Sequence, residues 1–416
     1  MIIDSQKYNG ECPCCEKNHT MQTLISVIEN GCIDKLDEYL KKYKLTGYKA
    51  AVYDENTYMA TNGKHPRADR EIVLNPENLH ADEHGVELLK NRIPKETKLL
   101  LAVGSGTVHD LTRFCAYQMN IDFVSCPTAA SVDGFCSSVA AMTWRGSKKT
   151  FRAVAPKIVL ADLGIIRKAP LRLAKSGFGD MIGKYISLAD WKIANILTGE
   201  FYCERIADIT REATNAVLNS ADGIVSGDEA SYEKLMYGLL LSGLAMQMMG
   251  NSRPASGAEH HISHLIEMRP EGLNSYSDAL HGEKVGVGAL TVLREYHRIV
   301  NLPHVAFGNY KEYGREFIFK MFGQRLTDEI AEENSRDCAK GITADIIKTS
   351  FDRIVEVLEG LPETEQFETV YSRLGIKSTF EDIGLSSDMC SKILEYSPCV
   401  RNRLTLMRIR KCIKPY

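Results

Sequence analysis

The first 165 residues alternate short apolar runs with amphipathic stretches. Apolar, β-branched runs of four to eight residues predict strands, and apolar residues three or four positions apart predict helices. The predicted strands are 23–29, 48–53, 71–74, 98–103, 122–126 and 157–161, and the helices between them are 33–43, 82–92 and 107–119. Because strands alternate with helices, we predict a parallel sheet covered by helices.

From about Pro170 onward, this alternation gives way to long helical patterns. Apolar residues recur at helical spacing around Leu239, Leu293 and Ile354. The segment Lys168-Ala169-Pro170 interrupts the regular pattern just before the first long helix, because proline favours an element boundary. We therefore predict an N-terminal extension over residues 1–19, an α/β dinucleotide-binding domain over 20–166 and an all-helical metal and substrate domain over 167–416.

Composition and charge exclude several classes of protein. The 416 residues are 44% hydrophobic and 25% charged, which is typical of a globular protein. A net charge of -3 gives no basic excess for binding nucleic acid. The longest apolar stretch, 235–249, is interrupted by polar residues and glycines, so it predicts a buried helix and no membrane span. We expect a cytoplasmic protein, because the first residues form no apolar signal and the 12 scattered cysteines suit reduced thiols.

A glycine-rich turn follows the apolar strand 98–103. Gly104-Ser105-Gly106-Thr107 ends the strand and opens a helix, where backbone N–H groups bind phosphate. His109 replaces the third glycine of the usual dinucleotide pattern, so a plain structural turn explains this segment equally well. A second polar turn, 127–131, follows the next strand and would lie at the same sheet edge. Asp54 ends an earlier strand and suits either a ribose contact or a surface turn.

Three histidines and one aspartate form a candidate metal site. His260 and His264 are four residues apart on a predicted helix and so share one face, and His281 begins a following helix. Asp180, which follows a glycine pair, is the best candidate for a carboxylate ligand. An Asp–His–His set suits a divalent Lewis acid, whereas any single histidine is more often structural.

Two further polar segments carry ligand or anion-binding residue types. Cys12-Pro13-Cys14-Cys15 and His19 offer metal ligands, but no second spaced pair follows nearby, which favours a structural or partly flexible extension. The basic run 146–149 precedes the last predicted strand and suits either a solvated hairpin tip or a contact to an anionic substrate.

Five segments together resemble the sn-glycerol-1-phosphate dehydrogenase family, and Arg401-Asn402-Arg403-Leu404-Thr405 resembles its C-terminal pattern. The five segments are 104–107, 128–134, 177–184, 252–260 and 280–286. The family belongs to a superfamily with glycerol dehydrogenases, iron-dependent alcohol dehydrogenases and dehydroquinate synthases. The resemblance implies a dehydroquinate synthase-like fold, in which an α/β nucleotide-binding domain with a parallel sheet precedes an all-α metal-binding domain. Dehydroquinate synthases carry a glutamate in place of Asp180, which argues against their chemistry here.

The resemblance also implies roles for individual residues. It makes Asp180, His260 and His281 the ligands of one divalent metal, which could be zinc, nickel or iron. It makes Asp133, Asp180 and His264 the catalytic residues, so that His264 contacts substrate and is not a second metal ligand. It implies NAD(H) or NADP(H) as cofactor, bound by Asp54, Gly104, Ser105, Gly106, Thr107, Val108, Thr128, Ala129, Ala130, Ser131 and Ser137.

The implied activity is the reversible reduction of dihydroxyacetone phosphate to sn-glycerol 1-phosphate. One alternative is a dehydrogenase for glycerol or another unphosphorylated polyol, and a second is a non-catalytic protein that binds nucleotide or metal. A cationic subsite for the phosphate separates the first two, and its candidates are Lys148, Lys149, Lys184 and Arg253. The expected partner is thus a small phosphorylated molecule, and the sequence is compatible with a homo-oligomer.

Overall fold

The computed structural model describes residues 1–415, which divide into two compact units. The first unit comprises Met1–Met181 and Asp208–Ser252, and the second comprises Ile182–Ala207 and the chain from Arg253 onward. The domain limits expected at 19/20 and 166/167 differ from this division and stay a prediction. The first unit takes in a later stretch of chain because the helix Glu229–Met249 is buried along most of its length and packs against strand Ile25–Glu29.

A seven-stranded sheet forms the centre of the first unit. The strands of this unit are β1 (Ile2–Asp4), β2 (Gly10–Glu11), β3 (Asn18–His19), β4 (Ile25–Glu29), β5 (Tyr48–Asp54), β6 (Arg70–Leu74), β7 (Thr97–Gly104), β8 (Asp122–Pro127), β9 (Val139–Trp144), β10 (Ser147–Arg152) and β11 (Ile158–Asp162). The sheet order is β1-β4-β11-β8-β7-β5-β6, and every neighbouring pair is parallel except β1 with β4. The predicted parallel sheet is confirmed.

Helices cover both faces of this sheet. The helices of the first unit are α1 (Leu36–Lys42), α2 (Glu55–Ala60), α3 (Glu83–Lys90), α4 (Gly106–Met119), α5 (Leu163–Ile166), α9 (Ala221–Ser226) and α10 (Glu229–Met249), while the unit limits fall inside α6 (Leu171–Ile182) and α8 (Glu204–Leu218). Alternate residues of β7 point to opposite faces. Leu100 packs in a cluster with Leu111 of α4, whereas Leu101 packs in the cluster that holds Leu36 of α1. Burial on both faces explains the continuous apolar run of β7.

One segment differs from the sequence-based expectation. Arg145 and Gly146 both have positive φ, 50° and 77°, and form the two-residue turn between β9 and β10. Lys148 and Lys149 therefore lie inside β10 and not in a loop or at its tip. The N-terminal segment agrees with the structural one of its two expected alternatives, because β1 pairs with β4 and buries Ile3.

The second unit is helical apart from one short pair of antiparallel strands, β12 (Val305–Phe307) and β13 (Ile413–Pro415). Its helices are α7 (Lys184–Thr198), α11 (Ala258–Met268), α12 (His281–Val300), α13 (Arg315–Glu333), α14 (Ala344–Glu359), α15 (Thr364–Leu374), α16 (Met389–Tyr396) and α17 (Leu406–Ile409). The predicted helical architecture is confirmed. Among the described residues, no helix combines the length and apolarity that a membrane crossing requires.

A buried carboxylate organises the core of the second unit. Asp190 on α7 accepts hydrogen bonds from the Tyr296 hydroxyl at 2.6 Å, from the Leu406 N–H at 2.8 Å and from the Ala258 N–H at 2.8 Å. Burial raises the pKa of Asp190 to about 6. Because Ala258 is the first residue of α11, this carboxylate fixes the start of the helix that carries His260 and His264.

Candidate active site

The glycine turn after β7 packs closely against the first turn of α4, the helix that follows it. A Cβ atom on Gly104 would lie 2.7 Å from the Val108 Cβ, which is too near for any larger residue without a shift. Ser105, Gly106 and Thr107 keep partial solvent exposure. The first-turn N–H groups of α4 lack helical partners, so this turn can bind an anionic phosphate group.

His109 holds the glycine turn in place. Its Nδ1 lies 3.0 Å from the Ser105 carbonyl oxygen, to which it donates, and its Nε2 accepts from the Ser125 hydroxyl at 2.8 Å. Burial lowers the pKa of His109 to about 3, so the ring stays neutral. His109, which replaces the third glycine of the usual pattern, thus connects the turn to β8 through these two hydrogen bonds. Sequence reasoning missed this role, although the spacing of four residues between Ser105 and His109 was a usable signal.

The second turn follows β8 and lies beside the first. The Thr128 N–H donates to the Gly104 carbonyl oxygen at 3.0 Å, which joins the two turns directly. Thr128, Ala129, Ala130 and Ser131 are all buried. The buried Ser131 hydroxyl has no hydrogen-bond partner among residues 1–415. An unpaired buried hydroxyl is costly, so this atom is suited to a ligand contact.

The remaining predicted cofactor residues make bonds of their own. Asp54 ends β5, next to β7 in the sheet, and its Oδ1 accepts from the Thr57 N–H at 2.8 Å as the N-cap of α2. The Ser137 hydroxyl is buried and accepts from the Val139 N–H at 3.1 Å. Both residues therefore have a local structural function, and their cofactor contacts stay predictions.

Asp180 and Asp133 are hydrogen-bonded to each other within the first unit. The Asp133 N–H donates to Asp180 Oδ2 at 3.0 Å, and the Asp180 side chain is fully buried on α6. Asp133 Oδ2 in turn accepts from the Ser242 hydroxyl at 2.8 Å. These bonds orient both carboxylates, as a metal ligand and a substrate contact require.

In the second unit, α11 and α12 bring the three histidines together. The ring centroids of His260 and His281 are 5.3 Å apart, and that of His264 lies 5.9 and 6.0 Å from them. His260 Nδ1 lies 2.7 Å from Glu259 Oε1, and His281 Nδ1 lies 2.9 Å from Glu267 Oε1. A carboxylate partner at Nδ1 leaves Nε2 as the basic nitrogen, which is the usual arrangement in metal-binding histidines.

His260 and His281 are the two predicted metal ligands that lie in the second unit. Each offers one ring nitrogen, and these two atoms lie within 4.8 Å of one another. Ligand nitrogens about 2.1 Å from one tetrahedral metal lie roughly 3.4 Å apart, so small side-chain movements bring this pair onto one ion. Asp180, the third ligand that the family resemblance implies, lies in the first unit, and the complete ligand set stays a prediction. Sequence reasoning missed Glu259 and Glu267, although each lies within three residues of a histidine on the same helix.

His264 lies beside the two histidines, with its ring centroid 5.9 Å from that of His260 and 6.0 Å from that of His281. Its Nδ1 is buried and lacks a hydrogen-bond partner within the described part of the chain. Burial and the positive charge of Arg401 hold the pKa of His264 well below its usual value. The side chain is therefore a neutral imidazole at pH 7 and can hydrogen-bond to a polar ligand.

Two arginines near the C-terminus add positive charge that sequence reasoning did not assign to the site. Arg401 and Arg403 both keep partial solvent exposure. Burial, together with repulsion from Arg253 and Arg401, lowers the pKa of Arg403 to about 9. Arg253 is instead a structural residue, because its guanidinium binds Glu200 at 2.7 Å and the Leu404 carbonyl oxygen at 2.7 Å.

Comparison with known proteins shows to which family this chain belongs. Residues 27–170 match the family described as iron-containing alcohol dehydrogenase. The glycerol-1-phosphate dehydrogenase [NAD(P)+] of Bacillus licheniformis is 33% identical over 98% of this chain and 94% of its own. This chain belongs to the glycerol-1-phosphate dehydrogenase family. The member from Pyrococcus furiosus is 38% identical over 50% of this chain and 58% of its own.

Solved structures agree with the glycerol-1-phosphate dehydrogenase family at the level of the fold. A sulfoacetaldehyde reductase from Bifidobacterium kashiwanohense, in complex with NAD+, has a TM-score of 0.60 at 13% identity and covers 95% of this chain and 97% of its own. A glycerol dehydrogenase from Schizosaccharomyces pombe has a TM-score of 0.55 at 18% identity, with coverage of 95% and 97%. The fold predicted from the family resemblance is therefore confirmed.

Proposed function

We propose that this protein catalyses the NAD(P)H-dependent, metal-assisted and reversible reduction of dihydroxyacetone phosphate to sn-glycerol 1-phosphate. The observation that carries the proposal is the match, at 33% identity and over at least 95% of this chain, to relatives named glycerol-1-phosphate dehydrogenase [NAD(P)+]. The ring nitrogens of His260 and His281, within 4.8 Å of one another in the second unit, support a metal-assisted reaction.

Asp180, His260 and His281 would hold the divalent metal, which is zinc, nickel or iron. When bound, such an ion polarises a ketone oxygen as a Lewis acid. Glu259 and Glu267 each keep the proton of one histidine on Nδ1, so that both Nε2 atoms remain ligands. The Asp133 N–H bond to Asp180 orients the third ligand.

The two turns after β7 and β8 would hold the cofactor diphosphate. N–H groups of residues 104–108 and the N-terminal dipole of α4 attract its negative charge, and the unpartnered Ser131 hydroxyl offers a further contact. Asp54 and Ser137 complete the proposed cofactor set, with Asp54 facing the ribose. When bound, the nicotinamide supplies the hydride.

The substrate phosphate requires cations, and Arg401 and Arg403 are the strongest candidates in the second unit. Neighbouring guanidinium groups that repel one another and lose hydration are stabilised by a bound dianion. His264 would hydrogen-bond to the substrate as a neutral ring, and Asp133 would accept from a substrate hydroxyl. A cytoplasmic location suits the 12 scattered cysteines, which we expect to be reduced thiols.

The charge requirement can be tested by replacing Arg401 with Met. Loss of one charge-assisted bond costs about 1.5–3 kcal/mol, so the KM for dihydroxyacetone phosphate should rise at least about tenfold, while weak activity on dihydroxyacetone should stay unchanged. Arg294→Met, which removes an exposed guanidinium paired with Glu368, is the matched control. An unchanged KM in the Arg401 variant would remove Arg401 from the phosphate subsite.

A further inference from the structure

A buried arginine on α4 fixes the segment of the first unit that carries Asp133 and Ser137. The segment begins at Asp133 and reaches Val139, where β9 starts. The Arg113 guanidinium donates to the carbonyl oxygen of Gly134 at 2.5 Å and to that of Val139 at 2.8 Å. Both ends of the segment are therefore bonded to the helix that follows the glycine turn.

Burial of the Arg113 charge costs stability that an apolar residue would not. Its side chain is fully buried, and burial lowers the pKa of Arg113 because the charged form loses hydration. Asp110 Oδ1 lies 3.7 Å from its Nη1, beyond hydrogen-bond distance, and its Nε has no hydrogen-bond partner among residues 1–415. An apolar residue of similar volume would avoid this cost, which points to a role for Arg113 beyond stability.

Ser242 of α10 holds the Asp133 side chain from a second helix of the same unit. The Ser242 hydroxyl is fully buried and donates to Asp133 Oδ2 at 2.8 Å. The helix approaches the segment closely here, because a Cβ atom on Gly243 would lie 2.8 Å from the Cys136 Cβ. A carboxylate has about four lone-pair positions, so Asp133 can accept from Ser242 and from other donors at the same time.

We propose that Arg113 and Ser242 are positioning residues that orient the Asp133 carboxylate toward a hydroxyl group of the substrate. They would thereby make the enzyme selective for ketones with a free hydroxyl on the carbon next to the carbonyl group. This inference rests on the proposed function, in which Asp133 accepts from a substrate hydroxyl. A hydroxyl that meets a fixed carboxylate gains a charge-assisted hydrogen bond, and a ketone without the hydroxyl leaves that bond unmade.

A pair of substrates separates this positioning role from a general structural one. Dihydroxyacetone phosphate and hydroxyacetone phosphate differ only in that hydroxyl, so the ratio of their kcat/KM values measures its contribution. We expect wild type to prefer the hydroxylated ketone at least about tenfold, and Ser242→Ala to reduce this preference about two- to tenfold. Ser220→Ala, which removes a buried hydroxyl bonded to the Val217 carbonyl oxygen, is the matched control and should keep it. An unchanged preference in Ser242→Ala, an equal loss with both ketones, or no preference in wild type would overturn the proposal.

Arg113 variants test the backbone half of the same arrangement. Arg113→Met removes the guanidinium and should reduce the preference, whereas Arg113→Lys should restore it only in part because one ammonium group cannot replace the planar fork. Arg92→Met, which removes a guanidinium bonded to the Val73 carbonyl oxygen, should leave the preference unchanged. A folded Arg113→Met protein with the wild-type preference would refute the role of Arg113.

The Asp133→Ala background provides a test that does not depend on folding of the arginine variants. Without the carboxylate, adding Ser242→Ala should change the preference no further, and an additional loss would show that Ser242 acts through another group.

Failure of the proposed function gives a different result from failure of this inference. If wild type acts only on unphosphorylated ketones, the same ratio is measured with dihydroxyacetone and hydroxyacetone, and the Ser242 and Arg113 effects should persist. Their absence with that pair would overturn the positioning role, and a protein inactive on all four ketones would overturn both proposals.

Discussion

Replacing Glu267 with Gln tests how the second unit prepares His281 for metal. Glu267 Oε1 lies 2.9 Å from His281 Nδ1 and fixes the ring so that Nε2 stays available. Loss of such a partner typically weakens metal binding about 10- to 100-fold, or roughly 1.4–2.7 kcal/mol. Because a glutamine oxygen can still accept the hydrogen bond, we expect a loss near tenfold.

The assay is reactivation of the metal-free full chain as the concentration of free metal is raised. The Glu267→Gln variant should need about ten times more metal for half-maximal activity, and it should approach wild-type kcat at saturation because all three ligands remain. Glu368→Gln, which removes an exposed carboxylate paired with Arg294, should behave as wild type. Equal metal requirements for wild type and the Glu267 variant would refute the positioning role.

Three further substitutions follow from the same account. His281→Ala should abolish activity and remove one metal ion per chain while circular dichroism stays unchanged, and normal turnover with trace metal would exclude His281 as a ligand. Gly104→Ala should raise the cofactor KM at least about tenfold, because its Cβ would lie 2.7 Å from the Val108 Cβ, and Gly134→Ala, whose Cβ meets nothing within 4 Å, is the control. Replacing Lys148 and Lys149 by Ala should raise the KM for dihydroxyacetone phosphate more than it lowers kcat if β10 contributes to the phosphate subsite, and kinetics unchanged for both substrates would leave that role to the arginines.

Much of the first unit was predictable because the hydrophobic periodicity of each segment agrees with the side chains that are buried in the structure. The strand expected at 98–103 is β7 over Thr97–Gly104, and the helix expected at 107–119 is α4 over Gly106–Met119. A hairpin tip was one of the two alternatives for the basic run 146–149, but the strands β9 and β10 were not predicted. Their register depends on a positive φ at Arg145, which the residue type does not indicate. Helix α10 was expected to be buried, but its return to the first unit depends on packing across more than 200 residues of sequence.

The residue types of the candidate metal site were predictable from the sequence, but the hydrogen bonds that orient the histidines were not. A histidine pair four residues apart indicates a shared helix face. Glu259 bonds its neighbour His260 on the same helix, whereas Glu267 of α11 becomes a partner of His281 only when α12 packs against α11.

The central claim is most directly tested by substrate preference together with product identity. The purified protein, loaded in turn with zinc, nickel and iron, is assayed with NADH and NADPH on dihydroxyacetone phosphate and on dihydroxyacetone. The account predicts a much higher kcat/KM for the phosphorylated ketone and a product that is sn-glycerol 1-phosphate by enantioselective analysis. A preference for dihydroxyacetone, or for glycerol in the reverse direction, would contradict it and favour a polyol dehydrogenase.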